Sequence, residues 1–189
     1  MSRMPSADES VAPGLNAVLS EIVSTRGWVA NALRAFSHAP EGLRRFAALG
    51  EYVRFQTGLS DRIRELTVIT IARGCDYAWT HHVMFARTAG VTEDEITAVK
   101  EGRIPETVSA AERMALGYVH AFLAGTKVSD QEFDELLAVL GPGAITDLTL
   151  LAGYFLTLGW VLITYEVDLE PRDVLEKYWQ GGGRAKLQR

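Results

Sequence analysis

The chain has 189 residues, 48% apolar and 23% charged, and a formal net charge of −5. This is a folded, mildly acidic chain of one-domain size, not a disordered one. Its basic residues fall singly or in short pairs such as Arg44 and Arg45, which leaves no electrostatic footprint for nucleic acid. The single cysteine, Cys75, excludes an internal disulfide and a tetracysteine metal site and suits a reducing compartment, the cytoplasm being the expected location.

In chain order, residues 1–13 are polar, with proline and serine and no apolar stretch of the secretory kind, and read as a flexible arm. A single helical domain is expected over residues 14–178. Leu15, Val18, Ile22 and Val23 recur at helical steps, as do Leu43, Phe46, Leu49, Val53 and Phe55. Ser60 and Asp61 open a helix through Ile63, Leu66 and Ile69, and Gly74 is the stop expected of a C-cap. A further helix is predicted from Asp76 to Ala89, ended by Gly90. Thr92 with Glu95, Ser109 with Glu112, and Ser129 with Glu132 each carry the capping-box signature ahead of an apolar run. After Pro142 one long apolar helix is predicted, ending before Pro171. Its apolar run, Leu148 to Ile163, is shorter than the roughly 20 residues a bilayer requires, so it reads as buried or at a subunit interface. Gly181–Gly183 begins a flexible tail, residues 179–189. No stretch alternates long enough to demand a strand, so the fold class is all-α without a sheet.

Residues 64–90 hold the densest chemistry, with Glu65, Arg73, Cys75, Tyr77, Trp79, His81 and His82 within one helix–turn–helix stretch. On a helix from Asp76, Tyr77 and His81 share a face one turn apart, and the rings of His81 and His82 diverge by about 100°. Imidazole titrates near neutrality, so His82 is the first candidate to carry a proton; a hydrogen-bonded core histidine is its bland counterpart. Glu65 is either a surface ion-pair member or an inward carboxylate, which must be paired. Tyr77 and Trp79 are core aromatics or pocket walls. Arg73 either caps its helix or grips a carboxylate in a two-pronged contact. Cys75 is an inert buried thiol, or a thiolate if its helix start lowers its pKa. His38 and His120 read as structural. Adjacent His81 and His82 lack the i, i+4 spacing of helical metal ligands, so no metal site is assigned.

The order RELTVITIAR, a short turn, YAWTHHVMFARTAG, a capped acidic helix, SAAERMALGYVHAFL, VSDQEFDELLAVLG and ITDLTLLAGYFLTLGWVL resembles the carboxymuconolactone decarboxylase family. The resemblance spans roughly residues 25–170 and implies an alkyl hydroperoxidase D-like helical bundle assembled as a trimer or hexamer. The family's peroxidases use Cys-x-x-Cys with a histidine four residues on; Cys75 and His82 match, but Ala78 stands where the second cysteine would be. A recyclable disulfide needs that second thiol, so the chain reads as a divergent member outside the peroxidase branch. The resemblance then implies a cofactor-free decarboxylase acting on a small carboxylated lactone or enol-type acid. His82, Glu65, Tyr77 and His81 would do the chemistry, with Arg73, Trp79 and Cys75 contacting substrate, and without a nucleic-acid or membrane partner. The alternatives are a non-catalytic oligomeric binding module that keeps the fold and, less favoured, a peroxidase working through Cys75 alone.

Overall fold

A computed structural model describes residues 2–183, and every regular element among them is an α-helix. The elements are α1 (Leu15–Arg26), α2 (Asn31–Arg34), α3 (Pro40–Phe55), α4 (Asp61–Ala72), α5 (Asp76–Thr88), α6 (Glu93–Lys100), α7 (Ala110–Leu123), α8 (Asp130–Thr164) and α9 (Arg172–Gln180). The all-α fold class read from the sequence is the one observed. The chain divides into two compact units, residues 1–51 with 160–189, and residues 52–159.

In the first unit, Leu15, Val18 and Ile22 form a buried stripe with Ala12, Val29, Leu33, Leu43 and Ala47. Val23, read as part of that stripe, is 40% exposed. Gly27 adopts the left-handed conformation that ends α1, its N–H donating to Val23 O at 2.7 Å. The buried Arg26 donates from Nη2 to Ala47 O at 2.8 Å, and Glu170 accepts the first N–H of α2, from Asn31, at 2.7 Å. Within the segment read as an arm, Arg3 N donates to Tyr165 O at 2.7 Å and Ala12 is buried. Helix α9 extends two residues into the stretch read as a tail, of which residues 184–189, like Met1, lie outside the described residues.

The second unit is built around α4, which packs against α5, α6 and α7. Ser60 caps α4 by accepting Ile63 N–H at 3.2 Å, and Leu66 and Ile69 enter a core with Ala86, Val91, Ile96, Val99, Val108 and Leu116. Both capping boxes form at α6 and α7, and Arg62 of α4 ties them together. Its Nε donates to Glu112 Oε1 at 2.6 Å, its Nη2 to Glu95 Oε1 at 3.0 Å, and its Nη1 to Gly90 O. Burial pushes both carboxyls up, but the hydrogen bonds from Arg62 and the capping residues outweigh it and hold them below the ordinary range.

One helix end differs from the sequence reading, while the break before Pro142 falls where the sequence predicts it. Helix α4 stops at Ala72 with Arg73 as a right-handed cap, so Gly74 is not the left-handed stop expected of it, whereas Gly90 (φ 84°) is one. Helix α8 begins at Asp130 and is broken at Gly141 (φ 76°, ψ 164°), immediately before Pro142. It ends at Thr164, well before Pro171. Because it outruns the apolar stretch within it, α8 is long and apolar enough by length and composition to cross a bilayer; 28% of its most apolar window is buried.

Candidate active site

Helices α4 and α5 bring Glu65 and His82 together from positions 17 residues apart, with His82 Nδ1 lying 3.0 Å from Glu65 Oε2. Both are buried, 4% and 5% exposed respectively. The other carboxylate oxygen, Oε1, accepts from Arg64 Nε at 3.4 Å, and Arg64 Nη2 is itself held by Asp61 at 2.7 Å. Burial opposes ionisation of Glu65, yet the His82 hydrogen bond and the positive charges of Arg54 and Arg64 prevail and hold its carboxyl below the ordinary range. Burial depresses His82 most, aided by Arg54 and His81 and opposed by Glu65, taking it from 6.5 to about 4. The resting pair is therefore a carboxylate and a neutral imidazole. A carboxylate only accepts, so the proton sits on Nδ1 and the lone pair on Nε2. No described residue hydrogen-bonds Nε2.

The imidazole is framed by aromatic rings. Phe85, one turn on along α5, meets it edge-on at 5.7 Å, and Phe155 of α8 at 4.8 Å and 85°. Tyr154 stands edge-on to Phe155 at 5.2 Å. Tyr77 and His81 stack nearly parallel, with centroids 4.5 Å apart, on the shared face that their spacing predicts.

Other candidates lie elsewhere. Arg73 is exposed, its guanidinium against Gly102 where any Cβ would overlap it, and its carbonyl accepts Lys100 Nζ at 2.9 Å. Lys100 also lies 4.3 Å from the Trp79 ring centroid, so Trp79 faces the end of α6, where it packs on the core. Cys75 is a buried free thiol whose pKa burial pushes up, against the pull of nearby backbone N–H groups. That favours the protonated, inert form. His38 Nε2 meets Pro5 O at 2.9 Å, and His120 is depressed by burial and by Arg73. Among the described residues, no group of three His, Cys, Asp or Glu side chains is arranged to hold a metal ion.

Sequence reading gave no site role to Arg54, Phe85 or Phe155, although it placed Phe85 on the helix face of His82. Phe85 could have been given one, since i and i+3 meet on a helix. Arg54 and Phe155 carry no local signal, their separation from His82 being bridged only by packing. Two described cavities lie away from the pair. One of about 260 Å³ is lined by Arg34, Ser37 and His38 among others, and one of about 390 Å³ by Met114, Tyr118 and Leu136 among others.

The helical arrangement of the chain belongs to an all-helical class that solved structures define. The chain is similar to an uncharacterised peroxidase-related protein with an alkylhydroperoxidase AhpD core from Ralstonia eutropha JMP134. The TM-score is 0.72 at 19% identity, over 93% of this chain and 95% of that one. It is also similar to the debrominase Bmp8 (TM-score 0.63, 20% identity, 93% and 96% covered). A third likeness is to a putative antioxidant defence protein AhpD from Agrobacterium tumefaciens (0.61, 24%, 72% and 96%). These likenesses establish an AhpD-like fold. The model of the carboxymuconolactone decarboxylase family matches residues 40–121, the segment from α3 to α7 that contains Glu65 and His82. No curated protein matches it.

Proposed function

We propose that the chain is a cofactor-free acid/base enzyme of decarboxylase type, acting on a small carboxylated lactone or enol-type acid, with His82 as its proton carrier. The observation that supports this is the Glu65–His82 pair: a buried imidazole fixed through Nδ1, with Nε2 engaged by no described residue. Replacing both partners of a buried hydrogen bond by apolar groups of similar shape is often nearly neutral for stability, so structural economy is a poor reason for the pair. In the reaction, the bond between ring carbon and carboxylate breaks and its electron pair moves onto the conjugated lactone carbonyl. A proton taken up from solvent onto His82 Nε2, its positive charge stabilised by Glu65, passes to the carbon that carbon dioxide has left, so one proton is consumed for each carbon dioxide released. The stacked Tyr77 and His81, on the same helix as His82, are the candidates to donate to the developing oxyanion. The match of residues 40–121 to the family's model supports the reaction class, and the raised Cys75 pKa and Ala78 weigh against a thiol peroxidase.

The test is turnover of a carboxymuconolactone, followed as carbon dioxide release by the intact protein and by His82→Ala. Wild-type turnover falling at least about a hundredfold in the variant is the expected result. A folded His82→Ala chain with full turnover removes the assignment. A second reading, a non-catalytic module of the same fold, draws on the close framing of His82 by Phe85 and Phe155 and on two described cavities that do not reach it. It is favoured if the wild-type chain turns over no lactone acid and His82→Leu raises its melting temperature.

A further inference from the structure

Arg54, on the last turn of α3, is 8% exposed, unusual for a residue whose charge loses hydration on burial. Its guanidinium carbon lies 4.9 Å from the ring centroid of Phe55 and 5.4 Å from that of Phe85. A planar cation over an aromatic face is held by the ring quadrupole, and arginine suits the position because it is weakly hydrated and flat. Phe85 turns its edge to His82, so the cation, the ring and the imidazole are in consecutive contact, with Glu65 beyond.

We propose that Arg54 is a positioning residue for the Glu65–His82 pair, its guanidinium bracing Phe85 against the imidazole and setting a fixed positive charge within reach of both partners. The inference rests on the proton-carrier reading of His82. Three charged or titratable groups act on the imidazole: Glu65 from α4, His81 from α5, and Arg54 from α3; Arg64, also on α4, acts on Glu65. Helix α8 contributes the uncharged ring of Phe155. Glu65 alone draws a proton onto the ring, and Arg54 opposes it. Without that opposition the pair shifts toward imidazolium and carboxylate, and only burial and His81 keep the ring neutral. Arg54 thus reinforces burial in keeping Nε2 a free base at rest.

The experiment is a titration of His82 by nitrogen-15 NMR in the full chain without substrate, comparing wild type, Arg54→Met and Arg54→Lys. Arg54→Met is expected to move the His82 midpoint upward by about one pH unit, roughly a tenfold change in the protonated share at a given pH, and Arg54→Lys to restore it. In the lactone assay, the same variants are expected to move the pH limb of kcat in parallel and leave KM unchanged. A folded Arg54→Met chain whose His82 titrates as in wild type overturns the proposal. If the neutral variant does not fold, Arg54→Lys decides through its imidazole carbon-bound proton shifts. Loss of the flat cation must alter the ring-current shift from Phe85, and unchanged shifts overturn the bracing role. The titration needs no substrate, so absent turnover with a shifted midpoint sinks the enzyme reading alone, and turnover with an unmoved midpoint sinks only this one.

Discussion

Thr67 and Thr70 sit on the same helix, both buried, and differ in one respect. Thr70 returns its hydroxyl to Leu66 O at 2.7 Å, whereas Thr67 Oγ1 is buried without a hydrogen-bond partner. A hydroxyl stripped of water and left unbonded costs about 1–3 kcal/mol. Thr67→Val, which keeps the shape and removes the oxygen, should therefore stabilise the chain by about 1 kcal/mol in urea denaturation, while Thr70→Val should not. A Thr67→Val chain less stable than wild type would show that the hydroxyl has a use. At His82 the effect is on pH. Its native pKa is about 4 against an ordinary 6.5. Between these values the unfolded chain takes a proton that the native chain refuses, so stability falls as pH falls through that window. Glu65, also depressed, loses its contribution only at lower pH. Melting temperature should drop between pH 7 and pH 5, and the drop should be smaller in His82→Leu; equal drops would place the titrating group elsewhere. The density of titratable residues around Cys75 made this region visible in the sequence. That Glu65, rather than any nearer residue, would hold His82 depends on how α4 and α5 pack, which residue spacing does not state.

The element scale is governed by how helices start. Ser60, Thr92, Ser109 and Ser129 were legible as caps because a capping box is a local bargain between positions three apart. What links these starts was not legible. Arg62 reaches 33 and 50 residues along the chain, to Glu95 and Glu112, and joins the first turns of α6 and α7 to α4. Arg62→Leu leaves two buried carboxylates short of their cation and should cost about 3 kcal/mol. Ser60→Ala, removing one cap, should cost about 1 kcal/mol. Chemical denaturation of the two variants checks the ranking, and a smaller loss for Arg62→Leu would mean that the capping N–H groups suffice to hold both glutamates. Gly74 was misread because glycine after a helix signals a left-handed stop only when the backbone reverses there. Here the chain continues through an extended Cys75 straight into α5.

At the scale of the whole molecule, α8 is an apolar element whose burial is far from complete. Leu150 and Ile163 are exposed on it, and Trp160 is 73% exposed. Single exposed apolar residues are ordinary, but a helix with mean hydropathy high enough for a bilayer and only 28% of that window covered is not. We propose that further copies of the chain cover it, as the trimers or hexamers implied by the family resemblance would. A closed homo-oligomer is the common way for a soluble chain to bury one apolar surface repeatedly. Light scattering should then give a multiple of the 20.8 kDa chain mass, and Leu150→Glu, which sets a charge in the contact, should shift the mass toward the monomer. A chain that is monomeric at every concentration, yet sediments with vesicles of neutral lipid, would assign α8 to a bilayer instead. A chain that is monomeric and stays in solution would leave α8 uncovered and refute the oligomer.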